Sequence, residues 1–198
     1  MKRIALVLLL MASAACWALD VVTGELESAK NSKVVFVSYE GPPAKVESLA
    51  AIKGIGSALG AAARSGSLRA GAEARYAVIR VVDPTVKTGF DADIIVLGSD
   101  AQVDHIRNLR WIIAAYLSSA WGYSDADASL LATFVTVYNA VHRGDMGYIG
   151  SRYKPAVARE LSPENAGLST RYSDWPGKTR ILIPLTEGAT PGSLGAVS

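Results

Sequence analysis

Two histidines, His105 and His142, are the imidazoles available to this 198-residue chain, and Cys16 is its single thiol. A zinc centre needs three or four His, Cys or carboxylate ligands at short spacings. Neither HExxH nor paired CxxC occurs, so no metal-ligating residue is assigned. Nucleophilic catalysis asks for a serine or cysteine beside a base. The chain has no GxSxG elbow and no serine motif beside either histidine, so no catalytic and no cofactor-binding residue is assigned. "DADASL" from Asp125 begins like a calcium loop, but Leu130 stands where such a loop needs glycine and Thr136 where it needs a bidentate glutamate. That stretch reads as a capped helix start. "GIGSALG" from Gly54 comes near a phosphate-loop spacing yet lacks the following Lys-Ser/Thr, so it reads as a close-packing helix face or a helix break.

The stretch "ATFVTVYNAVHRGDMGYI" is the sharper question, because it brings His142 and Arg143 together at a helix end. Gly144 sits where a left-handed helix terminus falls, and both side chains lie in the last turn beside unpaired carbonyls. Capping accounts for both without a catalytic role. The remaining candidates are aromatic and basic residues toward the C-terminus. Arg152, Arg171, Tyr172, Trp175 and Lys178, with Tyr148, Tyr153, Lys154 and Arg180 nearby, are types suited to glycans, anionic polymers or a protein partner. The competing reading buries the tyrosines and Trp175 and leaves the charges solvated.

These residues must be positioned by a domain that folds without disulfide or metal support. Half the residues are apolar, so a single core is within reach of a chain this long. The start "MKRIALVLLLMASAACWALD" has Lys2 and Arg3, then an apolar run well short of the roughly 20 residues that span a bilayer. It reads as a signal peptide over residues 1–18, cleaved after Ala14 or Ala18, with lipidation at Cys16 as the alternative. No transmembrane span is expected after its removal, and the expected address is periplasmic or outer-membrane associated, with surface exposure open. The formal charge of +2 comes from the leader, since removing Lys2 and Arg3 leaves 18 basic and 18 acidic residues. A neutral mature chain is a poor nucleic-acid binder.

Along the mature chain, "KVVFVSY" (33–39) reads as a strand, followed by a "GPP" turn and an alanine-rich helix carrying Gly54, Gly56 and Gly60. "ARYAVIRVVD" and "ADIIVLG" read as strands, the second buried on both faces. From Asp100, taken as N-cap, Val103, Ile106, Leu109, Ile113, Tyr116 and Leu117 recur at helical spacing. Ser124 and Asp127 form a capping box for the next helix. A third helical stretch covers "YIGSRYKPAVAREL", "SPEN" offers a further cap, "DWPGK" a type II turn and "TRILIPL" a closing strand. Pro184 argues that this last strand lies at a sheet edge or ends there. The fold class is thus mixed α/β (α+β), about four strands packed with about four helices in the order β-α-β-β-α-α-α-β, and the beginning allows a partly parallel sheet. Residues 19–185 form one globular domain in this reading, and 186–198 a flexible tail.

At "NLRWIIAAYL", "TVYNAVHRGDMGYIGSRYK" and "LSPENAGLSTRYSDWPGKTRILIPL" the sequence resembles the 83/100-kDa antigen family of spirochaetes. "FVSYEGPP" and "IKGIGSALG" are similar to the same family's N-terminal region. The resemblance implies an exported cell-envelope antigen corresponding to the N-terminal domain of longer relatives, which continue into a charged, coiled-coil-like region and a β-rich domain. It carries across no catalytic residue. Three function classes follow: a non-enzymatic interaction or structural domain with an envelope protein or polymer as partner, an adhesin for host glycans or matrix proteins, and a cell-wall hydrolase without a recognisable motif.

Overall fold

Four segments of alternating or continuous apolar residues pair into one antiparallel sheet in a computed structural model that describes residues 19–37, 48–65 and 75–187. The leader, the "GPP" turn and the chain from residue 188 lie outside those residues. The strands are β1 (Leu19–Val21), β2 (Tyr76–Val81), β3 (Asp91–Leu97) and β4 (Thr179–Glu187), in the order β1-β4-β3-β2. The helices are α1 (Thr23–Glu27), α2 (Leu49–Arg64), α3 (Ile106–Trp121), α4 (Asp125–Val141), α5 (Met146–Arg152) and α6 (Pro155–Ala158). The α+β class holds, with small differences in element order.

The sheet is antiparallel at every pairing, not partly parallel. Its first strand is Leu19–Val21, while residues 33–37 run extended without a ladder partner; Val37 N–H donates to the Thr170 carbonyl at 2.9 Å. Val35 is 79% exposed, so β-branched composition there does not translate into a sheet position. Ser38 and Tyr39 of the expected strand lie outside the described residues. The last strand extends beyond Leu185, with Thr186 opposite Asp20 and Glu187 opposite Leu19.

Pro184 sits in an inner strand, contrary to the edge expectation. In antiparallel pairs a residue directs its N–H and C=O to the same neighbour. Pro184 opposes Ala92 of β3 and turns its carbonyl the other way, to Val22 N–H at 2.9 Å, where β1 has already ended. The missing donor falls on a side with no ladder partner. Leu182 faces that same side, and the Asn139 amide of α4 closes on it: Nδ2 donates to the Leu182 carbonyl and Oδ1 accepts the Leu182 N–H, both at 2.8 Å. Residues 165–167 cover Arg180 in the same way, through Arg180 N–H to the Asn165 carbonyl and Gly167 N–H to the Arg180 carbonyl. Side chains and a loop thus replace the outer strand.

Helix α2 is continuous, so its glycines are no break, and Gly56 and Gly60 form a packing face while Gly54 is exposed. A Cβ on Gly56 would lie 2.8 Å from Ala115 Cβ and 2.9 Å from the Tyr116 nitrogen; one on Gly60 would lie 2.6 Å from Ser119 Cβ. Only hydrogen at those positions lets α2 approach α3 this closely. Helix α3 starts at Ile106, with His105 rather than Asp100 as N-cap: His105 Nδ1 accepts the Arg107 N–H at 3.0 Å. Val103 is buried but precedes the helix.

Ser124 caps α4 as expected and also donates to Asp127 Oδ2 at 2.7 Å. The third helical stretch splits into α5 and α6 around Tyr153 and Lys154, because Lys154 must be extended before Pro155. "SPEN" is a turn, in which Ser162 N–H donates to Asn165 Oδ1 at 2.9 Å. The "DWPGK" turn is present, with Lys178 N–H on the Trp175 carbonyl and Gly177 at φ +70°.

Candidate functional site

Three polar clusters and one groove hold the residues with chemical potential. The first is built on Glu25 of α1, which is 5% exposed. Helix α4 presents Tyr138 and His142 one turn apart; α5 presents Tyr148 and Arg152 with the same spacing. Tyr148 donates its hydroxyl to Glu25 Oε1 at 2.6 Å, Tyr138 at 3.3 Å and Arg152 Nε at 3.1 Å, while Arg152 Nη2 reaches Oε2. The Tyr138 and Tyr153 hydroxyls lie 2.9 Å apart. The His142 ring stacks on Tyr148, with centroids 3.6 Å apart and planes 4° from parallel.

Burial pushes the Glu25 carboxyl up, but the hydrogen bonds from Arg152 and Tyr148 and the Arg152 charge outweigh it, so Glu25 sits below the usual carboxylate value. Burial raises Tyr138, Tyr148 and Tyr153, keeping them protonated donors. Burial also lowers His142, against the pull of Asp145 and Glu25, which favours the neutral ring. The cluster holds a fixed anion among fixed donors. With carboxyl and phenols driven apart, it is poorly matched to proton transfer near neutrality.

The second cluster is centred on Asp93 of β3, fully buried. Arg80 of β2 grips it with both forks at 2.7 and 2.8 Å; the Tyr116 hydroxyl and Trp121 Nε1 (3.2 Å) of α3 complete it. The third is the buried pair of Lys154 with Asp91 at 2.7 Å, where Lys154 Nζ also donates to the Asp83 carbonyl at 2.7 Å. Each ion has its partner inside the fold, as burial of charge requires. Among the described residues no group of three or more His, Cys, Asp or Glu is placed to hold a metal ion.

The groove lies along α3, walled by α2 and α4. A cavity of about 460 Å³ is lined by Leu49, Lys53, Ser57, Trp111, Ala114 and Asp125 among others. A second, of about 370 Å³, shares Trp111, Ala114 and Ser129 with it and continues toward Ile106, Arg107 and Arg110. Arg107 lies over the Trp111 ring at 5.1 Å. Arg110 donates Nε to Thr136 Oγ1 at 3.0 Å, and burial lowers its guanidinium from the ordinary value. Among the described residues no carboxylate lies within ion-pair distance of Lys53, Arg107 or Arg110.

The sequence candidates do not converge on one surface. Arg152 belongs to the Glu25 cluster, and Trp175 is 1% exposed with Nε1 on the Ser169 carbonyl at 2.8 Å. Arg171 is exposed and pairs with Asp174 at 3.5 Å; Tyr172 is half-buried and Lys178 exposed. Tyr153 and Lys154 are interior. His142 caps α4 and stacks, while Arg143 donates to the Lys178 and Glu164 carbonyls at 3.4 Å. Sequence reasoning passed over Glu25 and over the groove. Its one readable signal was Arg107-x-x-Arg110-Trp111, cations one turn apart beside a tryptophan on the polar side of the α3 stripe.

No helix among the described residues is long and apolar enough to cross a membrane. The chain was compared with curated proteins and with solved structures, and nothing matches in either. A family model does match, described as Borrelia P83/100 protein, over residues 23–198. That span takes in α1 with Glu25, both helices of the tyrosine cluster and the whole groove, and the chain accordingly belongs to the Borrelia P83/100 family of spirochaete antigens.

Proposed function

We propose that the chain is an exported, non-enzymatic interaction domain of the spirochaetal cell envelope, periplasmic or outer-membrane associated, which engages a protein or polymer partner through the groove on α2, α3 and α4. The observation that carries the reading is the contrast between closed and open chemistry. Glu25, Asp91, Asp93 and Lys154 are each satisfied inside the fold, whereas the groove holds Trp111 beside three cations with no carboxylate among the described residues on them. Aromatic and arginine side chains are the types enriched where binding energy concentrates. A hydrolase would want an acid and a base facing one cavity. His105 lines the smaller cavity, but its Nδ1 is committed to the helix cap and no carboxylate among the described residues lines that space.

A photo-crosslinking residue placed at Leu49, which lines the groove, and at Val82, just past the end of β2, tests this in living cells. A discrete adduct from Leu49 and none from Val82 is the expected result; equal patterns or none at either would sink the groove as the interaction surface. Protease treatment of intact cells, compared with cells whose outer membrane is opened, decides the side. Cleavage on intact cells favours an adhesin for host glycans or matrix, and protection until opening favours an envelope partner.

A further inference from the structure

The groove has a shape and a charge that say more about its occupant. Its floor runs along α3 from Arg107 to Ser118, about 16 Å or three helical turns. Ala114 and Ala115 form the middle of that floor, so a second backbone can come close. Leu49 stands at one lip, 45% exposed. The serines around it are largely engaged internally: Ser119 donates to the Ser57 carbonyl and Ser129 to the Asp125 carbonyl. A polysaccharide would find few free donors along this floor. An extended peptide would find no sheet edge, because all three walls are helices with internally bonded backbones.

The charge is asymmetric along the slot. Asp125, the carboxylate of the lining, lies toward the end where α3 finishes and α4 begins. Arg107 and Arg110 lie at the opposite end. Arg110 is half-buried, and its terminal nitrogens meet no acceptor among the described residues. A desolvated guanidinium with unused donors is costly to hold and favours a carboxylate that completes it.

We propose that the α2–α3–α4 groove is a docking slot for a helix of a partner protein, which lays a face of small and apolar residues on Ala114, Ala115 and Trp111 and delivers an Asp or Glu to Arg110 and Arg107. This rests on the groove being the interaction surface and adds the class of partner: an amphipathic helix with an acidic end. The partner helix completes a helical layer over α3, and its acidic side chain fixes direction and register.

The test uses the full chain and a displayed library of helical peptides of about 14 residues, with alanine and leucine on one face and the other positions random. Selection against the wild type is expected to enrich Asp or Glu at one peptide end. The enriched peptides should bind Arg110→Gln about tenfold more weakly, and Ala114→Arg, which fills the floor, should abolish binding; circular dichroism of both variants checks the fold. Replacing the peptide's acid by its amide should cost nothing further in Arg110→Gln. No enrichment, enrichment without acidic residues, or equal binding by the two variants overturns the proposal. So does full competition by free glutamate, which would make the site a small-anion pocket, and so does a dimer in sedimentation that Ala114→Arg dissolves, which would assign the slot to a second copy. In any of those cases the crosslink from Leu49 still reports separately on whether the groove meets a partner.

Discussion

Three glycines in one helix make opposite predictions, and their signs follow from what each would touch. Gly54 is exposed, and a Cβ there meets nothing within 4 Å. Gly54→Ala therefore gains the helix propensity difference of about 1 kcal/mol with no steric cost. At Gly56 the same methyl would lie 2.8 Å from Ala115 Cβ and closer still to the Ile112 carbonyl oxygen, while carbon pairs rest at about 3.5–4.0 Å. Backbone cannot swing aside as a side-chain end does, so α2 must retreat from α3 by about 1 Å along much of its packed length. Overpacking of this kind costs about 1–3 kcal/mol before the propensity gain is credited.

We therefore expect Gly54→Ala to raise Tm by about 2–4 °C, the usual slope for a domain of this size per kcal/mol. At Gly56 the methyl meets backbone, so the upper end of that cost applies, and after the propensity gain is subtracted Gly56→Ala should lower Tm by about 4–8 °C; Gly60→Ala, pressed on Ser119 Cβ and the Ala120 nitrogen, should behave as Gly56 does. Thermal unfolding followed by circular dichroism, with urea unfolding to confirm that m is unchanged, measures all three. If Gly56→Ala and Gly54→Ala shift Tm in the same direction, α2 does not lie on α3 as described, and the wall of the proposed slot goes with it.

Three further outcomes are expected. Asn139→Leu leaves the Leu182 N–H and C=O without partners on the outer side of β4 and should cost about 2–4 kcal/mol; the Leu182 amide should lose hydrogen-exchange protection, and unchanged protection would refute the strand-replacing role of the amide. Thr179 Oγ1 is buried without a partner among the described residues, so Thr179→Val should be stabilising by about 1 kcal/mol in urea unfolding, and a clear loss would mean the hydroxyl is satisfied. Glu25 has a folded-state pKa below the ordinary 4.5, so its contribution to stability is fully present above that value and is lost as pH falls through the lower folded value. Glu25→Gln should cost about 2 kcal/mol at neutral pH, and its stability curve should converge on the wild type in acid; a constant gap across that window would refute the ionised cluster.

How much of this was readable beforehand depends on whether a residue's local neighbours decided its place. The Ser124 cap and the Pro176-Gly177 turn are local, and each stands where the pattern puts it, although Asp127 accepts the Ser124 hydroxyl rather than its backbone N–H. The strand expected at 33–39 failed because β-branched residues fit any pleated or extended path, and only tertiary pairing decides which path joins a sheet; here β1 holds the edge beside β4. Pro184 misled for a related reason. Its missing N–H matters only on the side where a ladder partner waits, and that side is set by where β1 stops. Asp100 and His105 are both serviceable caps, and the loop from β3 brings the second to the helix start.

The same distinction bears on where function lies. The block "TVYNAVHRGDMGYIGSRYK" is the most distinctive stretch of the sequence, and the fold accounts for most of its unusual residues: Tyr138, Tyr148 and Arg152 hold Glu25, Asn139 substitutes for a strand, His142 stacks on Tyr148 and Lys154 pairs with Asp91. Gly144 adopts φ +69° with Pro163 against it, so a side chain there is strained in both conformation and space. Buried polar groups of this kind need several exact partners at once, which makes a sequence block distinctive without making it reactive. The groove is built oppositely, from alanines, serines and a few cations that pass for an ordinary helix surface until α2 and α4 stand on either side. A recognition surface made of small residues leaves no motif. It becomes visible only in the backbone geometry, where α2, α3 and α4 enclose a slot and no carboxylate among the described residues lies on Arg110.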